Sequence, residues 1–408
     1  MKCRHCHAPL EHIFIDLGYS PPSNAYLTAQ DLNRPETTYP LRIYVCHECW
    51  LVQTADFAAA GDLFTSDYAY FSSTSHSWCE HARKYCTMIT EKLQLDSKSF
   101  VVELAANDGY LLKNFVEKGV PCLGIEPTDD TANAAEKKGV PIERRFFGEA
   151  FAGEMAKTYP KADLIIGNNV YAHVPDINDF TKGMKRALAD KGTITLEFPH
   201  LLELIKHTQF DTIYHEHYSY LSLHTVRRIF ESAGLRIFDA EKLATHGGSL
   251  RIYGGHDTDA RAATARLLEI LEEEDTSGLK NPETYGHFQD KADKIKNEFI
   301  RFLIDQKQAG KSVAGYGAAA KGNTLLNYAG IKPDLLPFIC DAAPSKQGKF
   351  MPGSHIPIYP PETIAREKPD IVVILPWNLK TEIKQQLDYI RQWDGHFLTV
   401  IPELSKAG

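Results

Sequence analysis

Apolar residues follow two spacings along the chain, and these spacings predict its elements. Between residues 99 and 200, short apolar runs alternate with helical stretches, which is typical of a parallel sheet flanked by helices. We predict a helix at about 77–93 and strands at 100–104, 123–127, 163–169 and 193–198. The strand at 193–198 is expected to close this series.

A second αβ unit is predicted from residue 312 onward, with further strands at 371–375 and 397–401. The stretch before it, 258–309, has the pattern of helices. Five apolar residues there repeat at helical spacing and predict a stripe packed against a core, without chemistry of its own. They are Phe288, Ala292, Ile295, Phe299 and Phe302.

Composition narrows the class of protein. A chain of 408 residues is too long for one core and predicts two or three domains. Its net charge of −8, without any basic run, argues against a general binder of nucleic acid or anionic membranes. We find no apolar stretch of membrane-spanning length and no signal-peptide pattern after the opening MKCRHC, so we expect a cytoplasmic protein.

Two C-x-x-C pairs lie near the N-terminus, Cys3/Cys6 and Cys46/Cys49. Each pair places two thiolates on one tight turn, and two such turns supply a tetrahedral zinc site. Two disulfides are the alternative, which a reducing cytosol disfavours. Neighbouring histidines at 5, 7 and 47 are possible substitutes, but the symmetry of the cysteines favours four thiolates. Since four protein ligands leave no open position, we predict a structural metal.

The stretch IYHEHYSYLSL, residues 213–223, concentrates groups that exchange protons. Tyr214, His215, Glu216 and His217 are consecutive. A strand would place Tyr214 and Glu216 on one face and the two histidines on the other. A polar loop is the simpler interpretation, but the density of acid–base groups favours a catalytic cleft.

Tyr68 and Tyr70 lie in a serine-rich connector that precedes the first αβ unit. They are interpreted either as linker residues or as part of a lid over the site.

Polar residues gather where the predicted parallel strands end. Ligands of open α/β sheets bind beyond these carboxyl ends. The residues expected to project there are Asn107, Gly109, Glu126, Asn168, Asn169 and His173. Glu126 ends the second strand about twenty residues after the first turn, a position suited to ribose hydroxyls. Because that turn has only Gly109 and no G-x-G-x-x-G, it favours an adenosine ligand without phosphate, namely S-adenosylmethionine.

The second αβ unit begins with a glycine-rich loop, Gly315-Tyr-Gly317-Ala-Ala-Ala320, and Asp341 follows the next strand. Read literally, this G-x-G-x-x-A pattern is a nicotinamide-dinucleotide fingerprint. Lys321 and the amides at the helix N-terminus are equally suited to the diphosphate of a nucleotide-linked substrate. A tight strand–helix turn without a ligand is the third interpretation.

Together these motifs resemble a known family. The two-knuckle zinc module, E-x-A-x-N-D-G-Y (103–110), Y-H-E-H (214–217), H-G-G-S-L-R (246–251) and G-Y-G-A-x-A-K-G-N-T (315–324) occur in this order. The chain resembles the S-adenosylmethionine-dependent sugar 3-C-methyltransferases, which act on nucleotide-linked keto-deoxysugars. The resemblance covers essentially the whole length.

The resemblance implies an α/β protein in three parts. These are a small zinc-binding module (1–66), a Rossmann-like class I methyltransferase domain (67–285) and a C-terminal Rossmann-like αβ domain that holds the nucleotide-sugar diphosphate (286–408). The expected substrate is a dTDP-linked or other nucleoside-diphosphate-linked keto-sugar. The sequence predicts no particular oligomeric state.

It also implies roles for individual residues. His217 would be the base that removes the C3 proton, and Glu216, Tyr214 and His173 would support the base and the enolate. Tyr68 or Tyr70 would cover the sugar. The expected cofactor contacts are Ala105, Asn107, Gly109, Glu126, Pro127, Phe147, Asn168 and Asn169. The expected substrate contacts are Tyr68, Arg251, Tyr316, Lys321 and Asn323. From the residues alone His215 competes with His217, since one step along an extended segment reverses the side-chain direction.

Two other functions compete with this reading. One is a nicotinamide-dependent nucleotide-sugar oxidoreductase that uses the 315–320 loop. The other is a zinc-containing scaffold without catalysis. The single-glycine first turn argues against the oxidoreductase, and the Y-H-E-H density argues against the scaffold.

Overall fold

A computed structural model describes residues 1–55 and 71–407 of the chain. Tyr68 and Tyr70 lie outside these residues. The strands of the described part are β1 (His12–Ser20), β2 (Tyr39–Val45), β3 (Val52–Thr54), β4 (Val101–Leu104), β5 (Cys122–Ile125), β6 (Ile142–Glu143), β7 (Ala162–Asn168), β8 (Leu188–Pro199), β9 (Ser219–Tyr220), β10 (Leu235–Leu243), β11 (Ser249–His256), β12 (Val313–Tyr316), β13 (Ile339–Cys340), β14 (Ile358–Tyr359), β15 (Ile371–Ile374), β16 (His396–Thr399) and β17 (Ser405–Ala407).

The α-helices of the same ranges are α1 (His76–Leu93), α2 (Lys113–Glu117), α3 (Asp129–Glu136), α4 (Glu149–Met155), α5 (Ile177–Ala187), α6 (Leu201–Lys206), α7 (Leu223–Ser232), α8 (Ala265–Thr276), α9 (Glu283–Gly286), α10 (Phe288–Gln308), α11 (Ala320–Tyr328), α12 (Glu362–Glu367) and α13 (Lys380–Gln386). Helix α1 matches the predicted 77–93. The Ser75 hydroxyl caps its N-terminus by accepting from the Trp78 amide.

The N-terminal sheet joins the cysteine-bearing module to the Y-H-E-H stretch. Its order is β1-β2-β3-β9, with antiparallel neighbours. Strand β9 directly follows His217 and Tyr218, and its Tyr220 pairs with Val52 of β3. The module therefore fixes one end of the predicted catalytic stretch.

The central sheet has the order β6-β5-β4-β7-β8-β11-β10. Strands β4 to β8 are parallel, as predicted, and β4 and β5 are buried throughout. The expectation that the strand at 193–198 closes the series was wrong. Strand β11 pairs antiparallel with β8 and β10, so this sheet ends in a hairpin. The point where strand order reverses lies between β4 and β7, and ligands bind beyond such a point.

The C-terminal sheet repeats the same order in shorter form. It runs β14-β13-β12-β15-β16-β17, parallel except for the last pair. The glycine loop leaves β12, and Trp377 follows β15, so both lie at this second switch point. Rossmann-like sheets therefore occupy both units in which the sequence predicted them.

Two apolar clusters connect the three sheets: one packs the N-terminal module against the central sheet, and the other packs the N-terminal sheet against the C-terminal unit. Phe14 of β1 stacks on Phe288 of α10, with ring centroids 4.4 Å apart. Helix α10 buries the predicted stripe with one difference, since Leu303 is buried where Phe302 is only partly so. Within residues 1–55 and 71–407, we find no helix that combines the length and the apolar character needed to cross a membrane.

Candidate active site

The four predicted zinc ligands come together in the N-terminal module. Their sulfur atoms all lie within 4.8 Å of one another, and the Cys3–Cys49 and Cys6–Cys46 pairs are 3.5 Å apart. A disulfide needs about 2.05 Å. Tetrahedral Zn–S bonds of about 2.3 Å separate the sulfurs by roughly 3.8 Å, so the spacing fits zinc and not two disulfides.

The surroundings of the thiols support the same interpretation. The Gln53 amide donates to Cys3 Sγ at 3.2 Å, and its Oε1 accepts from the Arg4 amide. Such outer contacts orient metal-binding thiolates. The nearby His5 instead makes a hydrogen bond with Asn178. Four cysteines therefore form a closed set of ligands.

The loop after β4 makes a sharp turn at the edge of the central sheet. Ala105, Asn107 and Gly109 have φ values of 56°, 49° and 73°. A Cβ on Gly109 would meet the Ala135 Cβ at 3.0 Å, so this glycine lets the loop approach α3. The structure thus explains the single glycine by packing within the protein.

Glu126 lies beside this loop, as predicted, with its side chain buried. Its Oε2 accepts from the Asn107 amide at 2.9 Å, and its Oε1 accepts from the Thr128 amide at 3.0 Å. Glu126 thereby holds the turn in place. An ionised carboxylate has about four acceptor positions, so capacity for a ligand's hydroxyls remains.

The two asparagines that end β7 face the same edge. Both side-chain polar atoms of the buried Asn168 lack a partner among the described residues, as does Asn169 Oδ1. Buried amides are normally hydrogen-bonded, so these atoms indicate a place for a ligand. Asn169 Nδ2 lies 2.9 Å from His246 Nε2.

Phe147 and Pro127 are both partly buried. The Phe147 ring packs edge-on against Phe180 of α5, with centroids 5.3 Å apart. Pro127 immediately follows Glu126. Both residues are within the loops that leave β5 and β6.

The Y-H-E-H stretch is a turn and not a strand. The His217 amide donates to the Tyr214 carbonyl at 2.9 Å, which brings the two rings to a centroid distance of 4.0 Å. His215 points elsewhere, since its Nε2 lies 3.3 Å from the Pro40 carbonyl and its ring contacts Tyr39. The turn therefore separates the two histidines that strand spacing would place on one face.

His217 is buried and held in one tautomer. Its Nδ1 lies 2.7 Å from the Thr212 carbonyl, so Nδ1 carries the proton and Nε2 the lone pair. Burial lowers the pKa of His217 well below its usual 6.5, and the neighbouring His173 lowers it further. His217 is therefore neutral at pH 7, as a base must be.

His173 and Glu216 complete this group. His173 lies with its ring centroid 4.6 Å from that of His217, and its Nδ1 is 2.7 Å from the Glu216 carbonyl. Burial lowers the pKa of His173 to about 4. The Glu216 carboxyl is enclosed, and burial raises its pKa to about 7 although a hydrogen bond from Asn24 opposes the shift. All four predicted catalytic residues in the described part are thus in one cluster.

The C-terminal glycine loop meets this cluster. Thr324 Oγ1 of α11 donates to the Ile213 carbonyl at 2.8 Å. Lys321 Nζ donates to Asn378 Oδ1 at 2.8 Å and lies 4.7 Å from the Trp377 ring centroid. The Lys321 charge lowers the pKa of His217, after the larger effects of burial and His173. Lys321, which the sequence predicts to contact the diphosphate, therefore lies on a helix that bonds to the segment just before the Y-H-E-H turn.

Asp211 connects the segment before the Y-H-E-H turn to the C-terminal unit. Its Oδ2 accepts from the Trp377 indole at 2.7 Å, while its Oδ1 has no partner in the described part of the chain. Burial raises the pKa of Asp211 to about 6, opposed by Lys321. Sequence analysis missed Asp211 and Trp377, because neither belongs to a motif.

His246 is a further residue near the site. It has a φ of 54° and is the first residue of the H-G-G-S-L-R motif. The adjacent Gly247, at φ 88°, passes so close to Trp377 that a Cβ would approach its ring to 2.2 Å. The run therefore needs a glycine where the central and C-terminal units meet.

Three predicted substrate ligands are not brought into the His217 cluster. Arg251 lies on β11, where it binds Glu197 at 2.9 Å and Glu241 at 3.1 Å. Tyr316 joins a separate apolar core of the C-terminal sheet. Asn323 is fully buried, with its Oδ1 accepting from an asparagine one turn later. Substrate binding by these three residues stays a prediction.

Asp341 occupies the position whose carboxylate binds ribose in dinucleotide-binding proteins. Here that carboxylate accepts hydrogen bonds from backbone amides of the protein. Its Oδ2 accepts from the Ala318 amide at 2.7 Å and its Oδ1 from the Ala343 amide at 2.7 Å. The carboxylate therefore stabilises the glycine loop from within.

Comparison with known proteins assigns the family. Residues 3–64 match a zinc binding domain, 78–240 a methyltransferase domain and 244–402 a C-methyltransferase C-terminal domain. The C-methyltransferase NovU of Streptomyces niveus is 34% identical over 402 residues, which cover 98% of this chain and 96% of NovU. This chain belongs to the C-methyltransferase family.

Solved structures similar to this C-methyltransferase cover less than half of the chain. An S-adenosylmethionine-dependent methyltransferase from Clostridium acetobutylicum is 12% identical and covers 43% of this chain and 91% of its own, with a TM-score of 0.35. Magnesium protoporphyrin IX methyltransferase of Synechocystis with bound S-adenosylmethionine is 14% identical and covers 42% and 77%, with a TM-score of 0.32.

The family settles several predictions. The chain is an S-adenosylmethionine-dependent C-methyltransferase with a zinc-binding module, as predicted. The four cysteine sulfurs fit that metal, and the unpaired buried atoms of Asn168 fit a cofactor at the edge of the central sheet.

Proposed function

We propose that this C-methyltransferase transfers a methyl group to C3 of a nucleotide-linked 4-keto-deoxysugar. The observation that carries the proposal is the buried, neutral His217, whose Nδ1 is bound to the Thr212 carbonyl and whose ring contacts those of Tyr214 and His173. Forming a carbon–carbon bond next to a ketone requires removal of a weakly acidic proton. A fixed neutral imidazole is suited to that step.

The proposed chemistry has two steps. His217 Nε2 takes the C3 proton, and the electron pair of the C–H bond moves into an enolate on the sugar. Tyr214 lies beside the base, and its hydroxyl is proposed to donate to the enolate oxygen. His173 is proposed to support the base, since its neighbouring ring helps to keep His217 neutral. S-adenosylmethionine supplies an electrophilic methyl group. When bound, it would give this methyl to the enolate carbon, and the electrons of the broken C–S bond would stay on sulfur in a neutral thioether.

The glycine loop is proposed to bind the nucleoside diphosphate. Lys321 and the N-terminus of α11 offer positive charge at the switch point of the C-terminal sheet. The internal bonds of Asp341 give that carboxylate a role in the loop, which favours this use over nicotinamide binding. Tyr68 or Tyr70 is proposed to cover the sugar.

Glu126 is proposed to bind the ribose of S-adenosylmethionine, with Ala105, Asn107, Gly109, Pro127, Phe147, Asn168 and Asn169 around it. We further propose the division into units 1–66, 67–285 and 286–408, and a cytoplasmic location.

The test is the reaction itself. Incubation with S-adenosylmethionine and a dTDP-linked 4-keto-deoxysugar should add one methyl group, which nuclear magnetic resonance should place on C3. Calorimetric titration with S-adenosylmethionine and with NAD identifies the cofactor independently. A methyl on oxygen would contradict the proposed enolate. Tight NAD binding would contradict the assignment of the glycine loop to the nucleoside diphosphate.

A further inference from the structure

A segment of the zinc-binding module reaches the catalytic turn. We call residues 21–38 the arm; it connects β1 to β2. The arm is fixed to the C-terminal unit, since Leu27 and Phe350 exchange backbone hydrogen bonds of 3.0 and 2.8 Å. Further along, Glu36 accepts from the Gly353 amide at 2.8 Å and lies 2.9 Å from His355 Nε2. The arm therefore has a defined position relative to the glycine loop.

Asn24 lies on a tight turn within the arm. The Ala25 and Tyr26 amides donate to the carbonyls of Pro22 and Asn24, at 3.1 and 3.0 Å. From this turn Asn24 Nδ2 donates to Glu216 Oε1 at 3.2 Å. Tyr26 donates to the Ala318 carbonyl in the glycine loop at 2.6 Å. Two neighbouring arm residues thus contact the catalytic turn and the glycine loop.

The Glu216 carboxyl is left with one unused oxygen. The side chain is 1% exposed, and Oε2 has no hydrogen-bond partner among the described residues. A buried acceptor that stays unpaired destabilises the folded protein, so such an oxygen indicates a ligand. A carboxylate oxygen is suited to accept from a hydroxyl group.

We infer that Asn24 is a positioning residue: its amide holds Glu216 Oε1 so that Oε2 is presented to a hydroxyl group of the substrate. This inference rests on the proposed function, because it takes Glu216 to face the sugar. It gives the zinc-binding module a role in the active site that is separate from its binding of the metal. A hydroxyl-bearing sugar is the chemical class that this oxygen would recognise.

The charges around Glu216 support an orienting role for Asn24. Its hydrogen bond lowers the Glu216 pKa against the larger effect of burial. Burial raises the pKa values of Tyr26 and Tyr220, and the charge of Glu216 adds a smaller rise to each. Lys346 lies 5.4 Å above the Tyr26 ring, and the ring of His173 is bound to the Glu216 carbonyl. Asn24 is the side chain that donates to this carboxyl in the described part of the chain.

The test compares Asn24→Ala with a variant of the same arm that keeps Asn24. Loss of the amide should reduce kcat about tenfold, as expected for one hydrogen bond to a charged group. The acid limb of the pH–rate profile should move to higher pH. Binding of S-adenosylmethionine and zinc content should be unchanged. Glu36→Gln, which alters the arm at His355, should keep the wild-type profile.

Asn24→Asp adds a like charge beside Glu216 and should shift the acid limb further in the same direction. A wild-type rate and profile for Asn24→Ala would overturn the inference. Equal losses in Asn24→Ala and Glu36→Gln would also overturn it, since the arm would then act through folding alone. If the wild-type enzyme does not methylate the keto-sugar, the proposed function itself fails, and the two failures are thereby distinguished.

Discussion

His173 and His217 lie with ring centroids 4.6 Å apart, and each has its Nδ1 bound to a backbone carbonyl at 2.7 Å. Those bonds fix both rings as the neutral Nδ1–H tautomer. Because the two rings are so close, one imidazolium would repel a second, and His173 lowers the pKa of His217 beyond the larger effect of burial. The pair is therefore suited to take up a single proton.

The first prediction concerns the base. His217→Asn keeps a similar shape but removes the acceptor, and a lost general base typically costs about 10²–10⁴ in rate. S-adenosylmethionine binding, measured by calorimetry, should persist. Exchange of the C3 proton of the keto-sugar in D₂O should also be lost.

His215→Asn is the matched control for that variant. Its ring contacts Tyr39 and Pro40 and not the cluster, so most of the activity should remain. If instead His217→Asn is active and His215→Asn is dead, the role of base moves to His215. Activity in both variants would remove this stretch from catalysis.

Glu216 should lower the stability of the folded enzyme at alkaline pH. Its folded pKa of about 7 lies above the ordinary 4.5, so the folded state prefers the protonated carboxyl. The contribution of Glu216 to the free energy of unfolding is fully present below pH 4.5 and is lost as pH rises through 7, a change of about 3 kcal/mol. Glu216→Gln should therefore be inactive yet more stable than wild type at pH 8, and equally stable near pH 4.5.

Denaturant unfolding of both proteins at the two pH values measures this difference. An equal difference at both values would mean that the charge of Glu216 is not the cause. Such a stabilised but inactive variant is the expected behaviour of a catalytic group held in an unfavourable environment.

Glu126→Ala should weaken S-adenosylmethionine binding about tenfold or more, since hydrogen bonds to a charged group contribute about 1.5–3 kcal/mol. The loss has two sources: the proposed ribose contact, and the bonds that hold the Asn107 and Thr128 amides. Asp129→Asn changes a nearby exposed carboxyl and should bind normally. Unaltered affinity in Glu126→Ala would refute the assignment.

Lys321→Ala should weaken binding of a nucleoside diphosphate, measured by calorimetry, and leave S-adenosylmethionine binding intact. Removing one ion pair with phosphate is expected to cost roughly tenfold in affinity. Lys349→Ala, on the same unit, serves as a control. If both variants bind the diphosphate equally well, the glycine loop is not its site.

Removal of zinc should impair catalysis as well as folding of the module. Zinc contributes about 10–16 kcal/mol to the folding of small zinc peptides. Cys46→Ser should lose zinc, and because β3 pairs with β9 beside His217, activity should fall with it. Cys79→Ser removes a thiol outside the cluster and should keep about one zinc per chain. Full activity of a zinc-free preparation would contradict the coupling.

The elements with a clear hydrophobic periodicity were predicted from the sequence. The parallel strands, helix α1 and the stripe of α10 followed from periodicity, and the residues at the ends of β4, β5 and β7 followed from the rule for open sheets. The hairpin of β10 and β11 was missed, because an antiparallel addition to a parallel sheet has no separate signal in the spacing.

Residues that reach the site from a distance escaped sequence analysis for another reason. Asn24 and Tyr26 lie in a loop with ordinary composition, and only the folded chain brings them to Glu216 and Ala318. Asp211 and Trp377 are separated by more than 160 positions along the chain, yet they share a hydrogen bond. No window of the sequence contains both partners.

The pairing of Val52 with Tyr220 restricts how this enzyme can be re-engineered. A hybrid made by grafting the first part of one relative onto the rest of another would need compatible β3 and β9 edges and a matching Phe14–Phe288 contact. It would also need an arm that meets the new glycine loop at Leu27 and Phe350. Exchange of substrate preference is therefore more promising by changing loops in place than by swapping whole segments.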